Sequence, residues 1–167
     1  DQYLTNITWS PDEAHIYVAI VNRAQNHMRL DKYDANTGVL EFTLFEERNE
    51  KYVEPEHGPY FLNDDSKQFV WFSERSGYQH LYLYSSTGKL ISALTEGEWE
   101  VSRIIGNTWT DILLVEGSGR DGRSKSLYSV SLPSADPYVI PDVNVKLISS
   151  DKGYNYGLAC KSGDFIL

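Results

Sequence analysis

The chain has 167 residues, of which 41% are hydrophobic and 23% charged, with a formal net charge of −9. This is a globular composition, long enough to bury a core, and its acidity excludes nucleic acid as a partner, since that requires a basic footprint. A single cysteine, Cys160, excludes an internal disulfide framework and any multi-cysteine zinc site, and no run reaches the ~18–20 apolar residues of a membrane-spanning helix.

Read along the chain, Trp9-Ser10-Pro11-Asp12 leads into a strand-like run from His15 to Val21. A second run, Met28 to Asp34, is followed by a turn at Asn36-Thr37-Gly38 and a third run, Val39 to Leu44. The polar segment Glu46 to Lys51 reads as a solvated face, and Tyr52 to Pro59, with two prolines and one glycine, as an ordered loop. The pattern then recurs. Tyr60 to Asp64 opens it, and Phe69-Val70-Trp71-Phe72 is apolar throughout, as in a strand buried on both faces. His80 to Tyr84 alternates leucine with tyrosine at period two, the turn Ser86-Thr87-Gly88 repeats the earlier one, and Leu90 to Leu94 closes the copy.

A looser third copy places strands at Trp99 to Ile105, Ile112 to Glu116 and Leu127 to Val130, with a long hairpin loop from Gly117 to Ser124 and a fourth strand at Tyr138-Val139-Ile140. Val145 to Ser149 reads as the opening of a fourth copy that continues to Cys160. No stretch has a sustained apolar stripe at helical spacing, so little helix is expected. The 13% aromatic content, with 12 tyrosines, suits half-buried strands. A period of 40–50 residues holding four short strands is the signature of a β-propeller blade. The predicted fold is all-β: a partial β-propeller of about three to four antiparallel four-stranded blades, at 1–46, 52–95 and 98–140, with another beginning at 145–167. A propeller closes with about 4–8 blades, so the chain reads as a piece of a larger protein. Asp1-Gln2-Tyr3 is not a signal peptide, and an exported parent would carry its signal upstream.

Candidate chemistry is sparse. No Gly-x-Ser-x-Gly elbow is present to hold a serine nucleophile, so no catalytic residue is assigned. His15, His27, His57 and His80 lack the helical spacing of a zinc site, and neighbouring residues in Glu54-Pro55-Glu56-His57 point in alternating directions, so no metal or cofactor is expected. The glycine-rich run Gly117 to Gly122 lacks the Gly-Lys-Ser/Thr ending of a phosphate loop and reads as a hairpin. Asn6-Ile7-Thr8 matches a glycosylation sequon inside a predicted strand.

One string is more specific. Lys51-Tyr52-Val53-Glu54-Pro55-Glu56-His57, then Ser73-Glu74-Arg75-Ser76-Gly77-Tyr78-Gln79-His80-Leu81-Tyr82, then Thr95-Glu96-Gly97-Glu98-Trp99-Glu100-Val101, resembles the propeller of the dipeptidyl peptidase IV family, its bacterial members most of all. Trp9-Ser10-Pro11-Asp12 fits as well but is shared with other propellers. The resemblance implies a parent serine peptidase of the prolyl oligopeptidase superfamily, with an eight-bladed propeller ahead of an α/β-hydrolase domain. Such enzymes remove dipeptides, typically with proline or alanine second, from peptide N-termini. The implied partners are that C-terminal hydrolase domain of the same parent chain and peptide substrates, and the implied location is periplasmic or exported. The family's catalytic serine, aspartate and histidine have no counterpart in this chain. Its amine-holding glutamate pair lies earlier in the propeller, and the surroundings of Glu46-Glu47 do not match it. The loop before the second blade helps line the family's substrate cavity, which makes Tyr52, Val53 and Glu54 the expected cavity contacts; the arginine some relatives carry nearby is not apparent. A non-enzymatic propeller binding a protein or glycan is the alternative, and the string from Ser73 to Val101 speaks against it. A cut propeller exposes blade faces, so self-association of the piece is also expected.

Overall fold

The computed structural model describes residues 1–62, 65–108, 111–119, 122–133 and 143–159, and the backbone of 165–166. It divides into two compact units, Asp1–Arg75 with Tyr82–Ile91, and Ser76–Leu81 with Ser92–Leu167. The described residues form strands, turns and loops, with no helix among them.

In the first unit, β1 (Gln2–Trp9), β2 (His15–Asn22), β3 (His27–Asp34) and β4 (Leu40–Arg48) form one antiparallel sheet in chain order. Local side chains set its turns. Ser10 Oγ donates to Asp12 Oδ1 at 2.6 Å and the Ser10 amide donates to the His15 carbonyl, closing the β1–β2 turn. The Asp34 carboxylate accepts from the amides of Asn36 and Thr37 and from the Thr37 hydroxyl, closing β3–β4. β1 is bulged between Thr5 and Thr8, and Asn6 within the bulge takes a left-handed backbone with φ of 51°.

The second sheet has the order β5 (Tyr60–Phe61), β6 (Gln68–Ser73), β7 (His80–Ser85), β8 (Leu90–Ala93). Phe69 to Ser73 is buried without interruption, as its apolar run predicts. The alternation in β7 does not separate a wet face from a dry one: His80 to Tyr84 are all buried, tyrosines and leucines alike. The core of the first unit joins Tyr17, Met28, Leu30, Phe69, Trp71, Tyr82 and Tyr84, with Phe45, Val53 and Phe61 packed against it. Phe45 stacks on Tyr84 at 4.4 Å and meets Trp71 edge-on at 5.6 Å. Burial, with the charges of Asp12 and Glu41, pushes the Tyr17 hydroxyl up to about 12, so the ring stays neutral.

In the second unit, β9 (Val101–Asn107), β10 (Ile112–Ser118), β11 (Lys125–Ser131) and β12 (Val145–Leu147) form a third antiparallel sheet. Here a sequence expectation is corrected. Val145 to Leu147, read as the start of a fourth copy, pairs with Val130 to Tyr128 and is the fourth strand of this sheet. A short β-run after a proline-rich connection (Pro133, Pro137, Pro141) has no local signal saying which neighbour it will pair with; the register is set by the partner edge. The fourth strand expected at Tyr138-Val139-Ile140 lies outside the described residues, as does Cys160. β13 (Leu158–Ala159) and β14 (Phe165–Ile166) pair as a separate hairpin.

His80 organises the start of this unit. Its Nδ1 lies 3.0 Å from Thr95 Oγ1, its Nε2 lies 3.0 Å from the Gly97 carbonyl, and its ring meets Trp99 edge-on. Trp99 packs in turn on Tyr128 at 4.5 Å and donates its indole N–H to the Glu96 carbonyl. The Gln79 side chain donates to the Val101 carbonyl at 2.8 Å, and the Val101 amide donates back to the Gln79 carbonyl. The histidine of the Gln79-His80-Leu81 string and the tryptophan of Gly97-Glu98-Trp99 are thus parts of one packed knot.

Candidate functional site

The loop from Asn49 to Pro59 follows β4 and is held down by backbone contacts. The Asn49 amide donates to the Asn26 carbonyl at 3.1 Å and the Val53 amide to the Gln25 carbonyl at 2.6 Å. Two residues further on, the Asn6 carboxamide donates to the Pro55 carbonyl at 2.6 Å. Val53 turns inward against the core, while Tyr52 and Glu54 stay exposed.

The two anchors are themselves unusual. Gln25 sits in the β2–β3 turn with φ of 55°, and Asn6 is the left-handed residue of the β1 bulge. L-residues pay for this conformation, and the Gln25 turn is braced for it. The Asn22 side chain accepts from the amides of Asn26 and His27, and the Gln25 amide donates to the Asn22 carbonyl.

Between the loop, β1 and the end of β2 lies a pocket of about 270 Å3. Tyr52, Val53, Glu54 and Pro55 form one side, and Tyr3, Thr5, Val21 and Gln25 the other. Tyr3 and Thr5, two apart on β1, face the same way, and Tyr3 lies in register with Val21. The Tyr3 ring carries the Arg23 guanidinium 5.7 Å from its centroid, and Arg23 Nη1 donates to the Tyr3 hydroxyl. Val21, Val53 and Pro55 give the lining an aliphatic part, and two tyrosines, an amide, a hydroxyl and a carboxylate complete it. The three residues singled out from sequence therefore line one pocket. Tyr3, Thr5 and Gln25 had no such signal, because the pairing of β1 with β2 and a left-handed turn residue bring them there.

The other candidates are engaged elsewhere. Adjacent residues of β4 point to opposite sides, which splits Glu46 from Glu47. Glu46 meets His27 at 2.8 Å and Arg48 at 3.0 Å, and hydrogen bonds from these two lower its pKa. Glu47 pairs with Arg75 and accepts from Ser73 Oγ at 3.0 Å. Arg75 also lies 4.3 Å over the Tyr82 ring. His57 packs against Phe72 at 4.2 Å. The Asn6 carboxamide of the sequon is committed to Pro55.

Residues 1–165 match the family model described as dipeptidyl peptidase IV (DPP IV) N-terminal region. The chain belongs to this family. Among curated relatives, dipeptidyl peptidase 4 of Felis catus is 29% identical over 143 residues, 79% of this chain and 18% of that protein. Dipeptidyl peptidase 4 of Arthroderma otae is 32% identical over 100 residues, 59% of this chain and 12% of that protein. The crystal structure of a dipeptidyl aminopeptidase IV homologue from Bacteroides ovatus superposes with a TM-score of 0.81 at 32% identity, over 98% of this chain and 25% of that one. Porphyromonas gingivalis dipeptidyl peptidase 4 superposes with a TM-score of 0.77 at 21% identity, over 95% of this chain and 21% of that one, a likeness of fold. The chain thus spans a quarter or less of the length of these relatives. The three four-stranded antiparallel sheets are part of a β-propeller of the DPP IV N-terminal type.

Proposed function

We propose that this chain is the chamber-wall portion of the propeller of a dipeptidyl peptidase, and that it admits and positions peptides for a serine hydrolase domain elsewhere in the parent protein. The observation that carries the reading is the family match over residues 1–165. The pocket at Tyr52, Val53 and Glu54 supports it, a concavity of about 270 Å3 in the loop where the resemblance implies substrate contact. On this reading the chain performs no bond-breaking. Acyl transfer belongs to the hydrolase domain, through a serine nucleophile and an oxyanion hole. The parent removes dipeptides from peptide N-termini in the periplasm or outside the cell.

The test uses the full-length gene product. Release of a chromophore from a Gly-Pro substrate, abolished by a serine-directed fluorophosphonate, is the expected result. Absence of both release and labelling would overturn the peptidase reading in favour of a propeller that binds a protein or glycan.

A further inference from the structure

We infer that the pocket walled by Tyr3 and Tyr52 is a subsite for one basic side chain, lysine or arginine, of an extended peptide. The inference rests on the peptide-handling reading above and adds a charge preference to it.

The pocket is built, not incidental. Two of the four non-glycine residues with positive φ among the described residues, Asn6 and Gln25, flank it, and each holds the opposing loop through a 2.6 Å hydrogen bond. Backbone strain of this kind persists only where surrounding structure over-determines it, and it gathers at ligand sites. The β1 bulge falls at the same place, between Thr5 and Thr8, and bulges re-aim side chains beside sites.

Size comes next. At about 270 Å3 the pocket is below the range for drug-sized ligands and suits a single side chain. Its aliphatic part, Val21, Val53 and Pro55, can cover the methylene stem of a long side chain.

Charge then selects among side chains. Glu54 is exposed at the rim, and among the described residues its carboxylate makes no ion pair. Tyr52 is 54% exposed beside it, with its ring open to a cation. The cation already present, Arg23, is occupied with the hydroxyl and ring of Tyr3, which leaves the Tyr52–Glu54 wall to receive the incoming charge. An acidic side chain would face Glu54 in a chain of net charge −9. An aliphatic one would keep the stem contacts but gain nothing from the Glu54 carboxylate or the open Tyr52 ring.

The experiment isolates this pocket from the reaction centre by using N-acetylated peptides, which have no free N-terminal amine. Full-length protein labelled with 3-fluorotyrosine is titrated with acetyl-Gly-Gly-Lys-Gly-Gly-amide and with its norleucine counterpart, and the Tyr3 and Tyr52 resonances are assigned through Tyr3→Phe and Tyr52→Phe. The lysine peptide should shift both resonances and bind about tenfold tighter than the norleucine peptide. Glu54→Gln should remove most of that preference, and added salt should weaken it. Equal binding of the two peptides, no shift with either, or a preference untouched by Glu54→Gln would each overturn the inference. Because no step is read through hydrolysis, these outcomes are independent of Gly-Pro cleavage; loss of that activity alone would remove the peptidase reading and leave the charge preference standing.

Discussion

Glu116 illustrates how single residues hold this chain together. Its side chain, 2% exposed on β10, accepts from Arg103 Nε and Nη2 at 3.2 and 3.1 Å, from Lys125 Nζ at 2.9 Å and from Ser102 Oγ at 3.2 Å. Burial alone raises the carboxyl, but the bonds and charges of Lys125 and Arg103 outweigh it and hold the pKa below its ordinary 4.5. A carboxyl depressed on folding contributes stability that is complete above its ordinary value and is lost as pH falls through the folded one. Glu116→Gln should therefore cost about 1–3 kcal/mol at neutral pH, and the gap to wild type should narrow as pH falls below 4.5; urea midpoints from neutral pH to about pH 3 check this. Removing both cations strands the buried carboxylate, and the Arg103→Ala/Lys125→Ala pair should lose more, about 3–5 kcal/mol. A second contrast concerns two turn glycines that look equivalent in sequence. Gly38 and Gly88 have φ of 70° and 83°, but a Cβ at Gly38 meets nothing within 4 Å, whereas one at Gly88 would lie 2.8 Å from the Leu44 carbonyl carbon. Gly38→Ala should cost about 1 kcal/mol for its backbone alone. Gly88→Ala adds a clash with main chain that cannot rotate away, and thermal melts should place it at least ~2 kcal/mol lower than wild type.

At the scale of elements, the Glu47–Arg75 pair ties β4 to the residues that follow β6, its side chains 13% and 32% exposed. Ser73 Oγ donates to Glu47 and accepts from Arg75 Nε at 3.0 Å, and the guanidinium plane lies over Tyr82. A shared network of this kind should couple: a double-mutant cycle of Glu47→Gln and Arg75→Gln is expected to give about 1–2 kcal/mol. Arg75→Lys should not rescue it, because an ammonium has no planar group that can bond Glu47 and Ser73 along its edge while its face lies over Tyr82. A coupling within error of zero in urea titrations would refute this account. The same elements show what sequence makes legible. Strand β6 could be read because four consecutive apolar residues, Phe69 to Phe72, have one structural use here, and the two threonine-glycine turns marked the hairpins. The partner of Arg75 could not be read, because nothing local ties position 47 to position 75. Nor could the burial of Tyr82 and Tyr84 be separated from that of Leu81 and Leu83, since a tyrosine suits either face until its neighbours are known. Val145–Leu147 was placed in the wrong copy for the same reason: strand character is local, pairing is not. At the pocket, Tyr52 to Glu54 stood out through the string that resembles the family, whereas Tyr3 and Thr5 reach it through the pairing of β1 with β2, which nothing local announces.

On the scale of the whole chain, the exposed apolar side chains are not scattered. On β1, Leu4, Ile7 and Trp9 are 65%, 63% and 54% exposed, and at the start of the last hairpin Tyr154, Tyr156 and Leu158 alternate outward at 67%, 63% and 71%. Isolated exposed leucines need no explanation, but clusters along a strand face are what association surfaces look like. In a closed propeller such faces are covered by neighbouring blades. In the 167-residue chain taken by itself they are open, and the hydrophobic effect favours covering them with a second copy. We therefore predict that the isolated chain self-associates in solution as its concentration rises, despite a net charge of −9 that opposes it. The drive being apolar, added salt should strengthen association by screening that repulsion. Ile7→Lys, which puts a charge on the β1 face, should weaken it without unfolding the chain, since the side chain is already exposed. Multi-angle light scattering across a concentration series is the check. A strict monomer at every concentration and salt would mean that these faces are not sticky enough to pair, and that the chain covers them by rearrangement or tolerates them in water.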